Sequence, residues 1–288
     1  MVKLTREVRF SLTSDFKHEI ASASAVNSWG GWPGGLVIAP FLALRVTVAG
    51  EPDPVTGMLC NISLIDRVVR TAGFRAIADM MTEANELHAT SLLTKLAQVL
   101  QQEFAAAQTP ASTTGSGGES PTGLVEFAAD LQLTTVELRL TPTLKLEMNM
   151  QTPGRVLLTQ QFEFSAAHRL QCDDYSDAEN HRVFGKCNNP NGHGHNYVLD
   201  VTLTSTADKL RGRAINLEEF ENIVRREVID PYDHEHLNCE DDFAGMNPTV
   251  ENIAMVIWRK LHGQFGEASL HRIRVYETSK TMAEYEGE

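Results

Sequence analysis

At 288 residues, 42% of them hydrophobic, the chain is long enough for two ordinary domains with cores of their own. Its 25 basic and 38 acidic residues leave a formal charge of -13, and no Lys/Arg stripe interrupts the surplus, so nucleic acid and anionic membranes are poor partners. No window approaches the ~18 uninterrupted apolar residues of a membrane helix. The opening residues carry no apolar leader, and Cys60, Cys172, Cys187 and Cys239 show no disulfide pattern, so the expected setting is a reducing cytoplasm.

In chain order, the first half reads as strands at Val8–Leu12 and Leu36–Val48, helices at Asn61–Val69 and Asn85–Phe104, and strands at Val136–Thr141 and Leu144–Met148. Gln108–Gly123, rich in Ser, Thr, Gly and Pro, predicts a flexible loop. Pro153-Gly154 punctuates the pattern, which puts the domain boundary near Gln151–Gly154 and gives domains 1–150 and 151–288. The second half opens with period-two alternation over Val156–His168, where Phe162, Phe164, Ala166 and His168 share a face. A polar, turn-rich excursion runs to about Gly192, and a second strand covers His193–Thr204. Asn216 with Glu219 has the form of a capping box, opening a helix with Leu217, Phe220, Ile223, Val224 and Val228 on one side. Thr249 caps a second helix, and strands follow at His271–Thr278 and Met282–Gly287. Both halves thus read strand, strand, helix, helix, strand, strand. Leu44-Arg-Val-Thr-Val48 parallels Leu199-Asp-Val-Thr-Leu203, and Cys60-Asn-Ile62 parallels Ile215-Asn-Leu217, which predicts an internal duplication.

The chemistry-bearing residues gather in the second half. In Cys187-Asn-Asn-Pro-Asn-Gly-His193-Gly-His195-Asn-Tyr197, the two histidines lie two apart on a strand and can present both imidazoles to one metal. Gly194 between them allows a close approach by other backbone or ligand. His168 ends the preceding strand on its apolar face; three imidazoles suit zinc and leave one position open for water or substrate. The bland alternative is a pair of turn histidines and a satisfied core histidine. Cys187, in a turn-forming stretch, is either a base or nucleophile whose pKa a nearby dication lowers, or a fourth ligand of a structural zinc. Asp233-His234 is either a carboxylate-oriented general base or a solvated turn. Glu277 sits near a strand end, where a lone glutamate ordinarily faces water.

With these residues in place, Val156–Glu288 resembles the 6-pyruvoyl-tetrahydropterin synthase family, and the eukaryotic-type members more than the short bacterial ones. The resemblance is carried by Phe164-Ser-Ala-Ala-His168-Arg-Leu, Phe184-Gly-Lys-Cys-Asn-Asn-Pro-Asn-Gly-His-Gly-His-Asn-Tyr197, Asp233-His-Glu-His-Leu-Asn238, Thr249-Val-Glu-Asn-Ile-Ala254, Val275-Tyr-Glu-Thr278 and Tyr285-Glu-Gly-Glu288. It implies an α+β architecture of tandem tunnelling-fold domains, each a four-stranded antiparallel sheet with two helices on one face. It also implies that His168, His193 and His195 ligate Zn2+, that Cys187 is the catalytic thiol, and that Asp233 and His234 complete proton transfer. By the same resemblance Glu277 anchors the pterin ring, and Thr249 and Glu251 lie near its pocket. The implied reaction is triphosphate elimination from 7,8-dihydroneopterin triphosphate. The sister branch makes 6-carboxytetrahydropterin on the way to 7-deazaguanine nucleosides and usually has a shorter Cys-to-His spacing. The five residues between Cys187 and His193 favour the pyruvoyl type. A non-catalytic, zinc-stabilised assembly protein is the third reading.

Aligned on its strands, the first half puts Ser14 near the His168 position, Ile38 and Pro40 near His193 and His195, and Pro142 near Glu277; His18 and His88 have no pairing residues. The expectation is a degenerate, structural copy without metal. Because the family builds barrels from three subunits with sites between neighbours, a homotrimer of stacked inactive and active rings follows as an expectation.

Overall fold

The computed structural model describes residues 1–12, 41–83, 88–108, 130–206 and 216–287, and the statements below concern those residues. Ser14, His18, Ile38, Pro40, Asn85 and the stretch 109–123 lie outside them. The chain divides into two compact units, Met1–Val156 and Leu157–Glu288.

In the first unit, β1 (Val2–Ser11), β2 (Phe41–Gly50), β3 (Gln132–Arg139) and β4 (Leu144–Asn149) pair antiparallel in that order. Their alternation turns Val8, Phe10, Leu44, Val46, Val136 and Leu138 to one face, all fully buried. The helices α1 (Ile62–Val68), α2 (Phe74–Glu83) and α3 (Ala89–Gln108) supply the rest of the core, and α3 packs against β3 and β4. The helix expected to end at Val69 instead continues: a π-helical turn, Val69–Gly73, carries it into α2. The reason is burial, since Phe74 and Ile77 are fully enclosed and the Phe74 ring lies 4.8 Å from Phe10. The opposite face of the sheet bears an ionic ladder. Glu7 pairs with Arg9 (2.7 Å) and Arg45 (2.8 Å), and the nearly buried Glu137 pairs with Arg139 (2.7 Å) and Lys145 (3.4 Å).

The second unit uses β5 (Arg155–His168), β6 (His193–Thr206), β7 (Ser269–Thr278) and β8 (Thr281–Tyr285), again neighbours in sequence order. The excursion after His168 holds a further helix, α4 (Asp177–Phe184), and the capping box belongs there, between Ser176 and Glu179. The Ser-x-x-Glu box stabilises a helix whose face is too polar for its periodicity to be visible. α5 (Leu217–Val224) and α6 (Val250–Leu261) bury Phe220, Val224, Ile253, Ile257 and Leu261, with α6 against β7 and β8. Asn216 caps α5 alone, accepting from the Glu218 N–H at 3.0 Å.

Four features recur at matching positions in the two units. Thr5 and Thr47 share a cross-strand hydrogen bond between their hydroxyls (2.9 Å), as do Thr159 and Thr202 (3.0 Å). A register shift follows each second threonine, at Thr47/Val48 and at Thr202/Leu203. Asn61 and Asn216 cap α1 and α5 through their side chains, and a π-helical turn succeeds each helix, at Val69–Gly73 and Arg225–Ile229. Bulges and π turns are specific insertions rather than generic features of helix and strand. Val136 and Thr135 thus correspond to Ile273 and Arg272, and continuing that register makes Leu140 the counterpart of Glu277, two residues before the expected Pro142.

Arg70 in the first π turn is 1% exposed, and all three of its side-chain nitrogens lack a hydrogen-bond partner. Asp66, whose charge acts on Arg70, is committed to Arg6 by two 2.7 Å bonds, and burial holds the Arg70 pKa below the usual arginine range. The guanidinium carbon lies 5.9 Å from the centre of the Phe74 ring, but a buried cation without a hydrogen-bond partner is still costly, and an apolar side group of similar length removes the penalty. Arg70→Met is therefore expected to raise the urea midpoint of the first unit, a gain on the order of 1 kcal/mol or more. An unchanged or lower midpoint would show that the guanidinium contributes packing that methionine cannot replace.

Candidate metal centre and active site

β6 presents His193, His195 and Tyr197 on one face, and the end of β5 brings His168 beside them. His168 Nε2 lies 3.1 Å from His193 Nε2, and the rings of His193 and His195 are 4.8 Å apart, edge to face. β7 adds Glu277, and one ligand atom from each of His168, His193, His195 and Glu277 falls within 4.8 Å of the others. His168 is fully buried, and its Nδ1 lies 2.6 Å from the Pro248 carbonyl. A carbonyl only accepts, so Nδ1 carries the proton and the Nε2 lone pair points into the cluster, the arrangement that orients metal-bound histidines. Burial lowers the His168 and His193 pKa values, and neighbouring imidazoles add to it; the neutral ring is the form that ligates. His195 Nε2 is buried with no hydrogen-bond partner, an orphan that a metal would satisfy. Three imidazoles and a carboxylate are donors that zinc accepts, so the residues present fit the ion.

The more crowded glycine of this stretch is Gly192 rather than Gly194. A Cβ on Gly194 would meet only the Ala166 carbonyl at 3.5 Å, an ordinary contact. Gly192 has φ +74°, and a Cβ there would come within 2.6 Å of His236 Nε2 and 3.1 Å of the His168 carbonyl. Glycine is required at Gly192 both by its backbone and by the histidine packed on it.

Cys187 sits in a 3-10 turn, Gly185–Asn188, behind α4. Its carbonyl accepts from the Leu170 N–H (2.8 Å), and the Asn188 amide donates to the Leu170 carbonyl (2.8 Å). The thiol is not among the four groups of the metal cluster; burial first, and then the Glu277 charge, push its pKa up. Asparagines to which the sequence reading gave no role hold the irregular segment after His168. Asn238 both accepts from and donates to the Arg169 backbone (2.8 and 2.9 Å), Asn247 accepts from the Gln171 N–H (2.8 Å), and buried Asn180 accepts from the Cys172 N–H (2.8 Å). They stand in for a β ladder at the point where the backbone must leave the sheet.

Asp233 and His234 flank the edge of β5. The Asp233 carboxylate accepts from the Ser165 N–H (2.8 Å), which chiefly lowers its pKa, and lies 2.9 Å from His234 Nδ1. His234 has φ +66° in a non-glycine residue and donates its N–H to the Ser165 carbonyl (2.5 Å); its side chain is 80% exposed. A strained backbone that turns an imidazole outward against a carboxylate is a feature of functional sites. An open cleft of about 330 Å³ borders it, lined by Ser165, Gly194, His195, Asn196, His234 and His236 among others. The Glu277 charge thus acts on Cys187, while the Asp233–His234 pair faces outward. Thr249 caps α6, accepting from the Asn252 N–H at 3.3 Å, and Glu251 is exposed in the first turn of that helix. Tyr197 is fully buried and stacked on Phe164 at 5.1 Å, with its hydroxyl unpartnered.

An antiparallel α+β sheet backed by helices, with histidines gathered at the start of its second strand, is the tunnelling fold. Residues 157–288 match the family model described as 6-pyruvoyl tetrahydropterin synthase. The human 6-pyruvoyl tetrahydrobiopterin synthase is 39% identical over 132 residues, 46% of this chain and 91% of that protein. The Dictyostelium discoideum protein of the same name is 35% identical over 134 residues, 46% of this chain and 97% of its own. A solved Caenorhabditis elegans 6-pyruvoyl tetrahydropterin synthase shares 36% identity, covering 46% of this chain and 96% of that one, with a TM-score of 0.43. The chain belongs to the 6-pyruvoyl tetrahydropterin synthase family through its second unit; the family model does not extend into residues 1–156.

Proposed function

We propose that the second unit is a zinc-dependent lyase that eliminates triphosphate from 7,8-dihydroneopterin triphosphate to give a 6-pyruvoyl tetrahydropterin. The observation that carries this reading is the convergence of His168, His193, His195 and Glu277, with Cys187 close enough to feel the Glu277 charge. His168, His193 and His195 would hold the zinc. When bound, zinc supplies a Lewis acid that acidifies the C–H and O–H groups on the substrate's C6 substituent and brings the thiol into its working range. Cys187 then removes a proton from that substituent, His234 oriented by Asp233 serves as its proton-transfer partner, triphosphate departs from the neighbouring carbon, and tautomerisation passes the two reducing equivalents of the side-chain carbinols to the ring, so that the dihydropterin becomes a tetrahydropterin as the side chain becomes pyruvoyl, with no external oxidant or reductant. Glu277 accepts from the pterin amino and ring N–H groups, and Thr249 and Glu251 border the ring.

The first unit is a degenerate copy of the same fold, retained to build the assembly. Leu140 stands where Glu277 would be, and the metal-ligating cluster of the second unit has no counterpart among the first unit's described residues. The protein as a whole is then a homotrimer whose active sites lie between neighbouring second units, with the outward-facing Asp233–His234 pair completing the site of the next subunit. With a formal charge of -13, the triphosphate must be drawn in by local cations rather than by the overall field.

The test is incubation of the zinc-loaded protein with 7,8-dihydroneopterin triphosphate, with products identified by mass spectrometry. The 6-pyruvoyl product and free triphosphate are expected. Release of acetaldehyde with 6-carboxytetrahydropterin would move the protein to the sister activity. No turnover with zinc bound and the oligomer intact would favour the non-catalytic assembly role.

A further inference from the structure

Glu277 has a position that anchoring a pterin does not explain. Its Oε1 lies 3.5 Å from His168 Nε2 and 3.4 Å from His195 Nε2, while His168 Nε2 is 3.1 Å from His193 Nε2. The two contacts to the carboxylate are too long for N–H···O hydrogen bonds, which fall at about 2.7–3.2 Å. His168 in addition has its ring proton on Nδ1, engaged by the Pro248 carbonyl. Zinc–nitrogen and zinc–oxygen distances of about 2.0–2.2 Å put neighbouring corners of a tetrahedral site roughly 3.3–3.6 Å apart. The carboxylate therefore stands off the imidazoles at the spacing of donors that share one ion. All four ligand atoms lie within 4.8 Å of one another, so a modest inward movement of the remaining donors completes the set.

We propose that in the free protein Glu277 is the fourth ligand of the metal, and that it leaves the metal when a pterin ring docks. The proposal rests on the three-histidine metal site described above and adds a switch to it. A carboxylate oxygen bound to the ion is not free to accept the ring's N–H groups, so recognition of the ring and opening of the coordination sphere are coupled through one side chain. Closed by four protein ligands, the ion is shielded from adventitious oxygen donors; an open position is created only where a pterin has been recognised. The specificity of the site then lies partly in when the metal becomes available. Both the bound and the released carboxylate keep a partner, so neither state strands a buried charge.

The experiment uses the full-length protein loaded with Co2+, whose visible spectrum reports the number and kind of ligands, alongside Zn2+ affinity from chelator competition. Without any pterin, Glu277→Gln is expected to change the Co2+ spectrum and to weaken Zn2+ binding at least about tenfold. Glu277→Ala repeats the comparison without an amide oxygen. Adding 7,8-dihydroneopterin to the wild-type Co2+ protein is expected to shift its spectrum toward that of Glu277→Gln. His193→Ala separates the two ways of failing. If it leaves metal binding intact, the histidine site itself is wrong and the proposal falls with it. If it removes the metal while both Glu277 variants keep the wild-type spectrum and affinity, the histidines hold the ion and Glu277 is not a ligand.

Discussion

Co-expressing Cys187→Ala with His234→Ala is expected to restore activity that neither variant has alone. Each single variant removes one side of the proposed proton transfer and should lose at least about 10²-fold in turnover. In one subunit, burial and the Glu277 charge act on Cys187, while His234 is 80% exposed at the edge of β5, held outward by Asp233 and a positive φ. If the site takes its thiol from one subunit and its imidazole from the next, random mixing leaves about one site in four with both groups intact. Recovery to roughly a quarter of wild-type turnover, with zinc content unchanged, is the expected result. No recovery in a confirmed mixed oligomer would mean that each subunit supplies both groups to the same site, or that His234 is not used.

His168→Ala is expected to have the largest effect on the metal and on the stability of the second unit. The ring is fully buried, is oriented by the Pro248 carbonyl and lies at the centre of the cluster. Loss of an outer-shell partner costs about 10–100-fold in metal affinity, so loss of this ligand should exceed that range. The metal-free wild type should also show a characteristic pH dependence. Burial depresses the folded-state pKa values of His168 and His193 below the ordinary value near 6.5. As pH falls through about 6.5 the unfolded protein takes up protons that the folded unit refuses, so stability is complete above that pH and declines below it. Urea midpoints at pH 7.5 and pH 5.5 measure the difference, which should shrink in His168→Ala. Metal loading should steepen it in the wild type, because protons and metal compete for the same lone pairs. A pH-independent midpoint in the metal-free protein would contradict the burial argument.

Much of this was legible in the sequence. Alternation along β5 and β6 placed Phe164, Ala166, His168, Tyr197, Leu199 and Val201 on the buried face, because a strand has a fixed period and a half-buried sheet permits one phase of it. The histidine pair followed from the same period. Asn61, Asn216 and Thr249 marked helix starts because an N-cap is a local bond between a side chain and a backbone N–H two or three residues on. The shared order of elements in the two halves was visible for the same reason.

Other features depended on partners distant in sequence. α4 was hidden because its face is polar, and the extension of α1 into α2 because the burial of Phe74 against Phe10 overrides a Thr- and Gly-containing stretch. The asparagines at 180, 188, 238 and 247 look like turn residues; only the fold shows that they hydrogen-bond to the backbone of 169–172 in place of a sheet. Gly192, not Gly194, turned out to be the crowded glycine, since its neighbour His236 arrives from a loop more than forty residues on. The sequence by itself determined the strand faces, the caps and the His193–His195 pair, all of which rest on local periodicity and short-range bonds. Only the tertiary structure decided that Glu277 stands at metal–donor spacing from His168 and His195, that Cys187 lies outside that set, and that His234 points outward. Those relations join residues up to about a hundred positions apart, and their distances are set by how β7 and the 233–236 loop pack on β5 and β6.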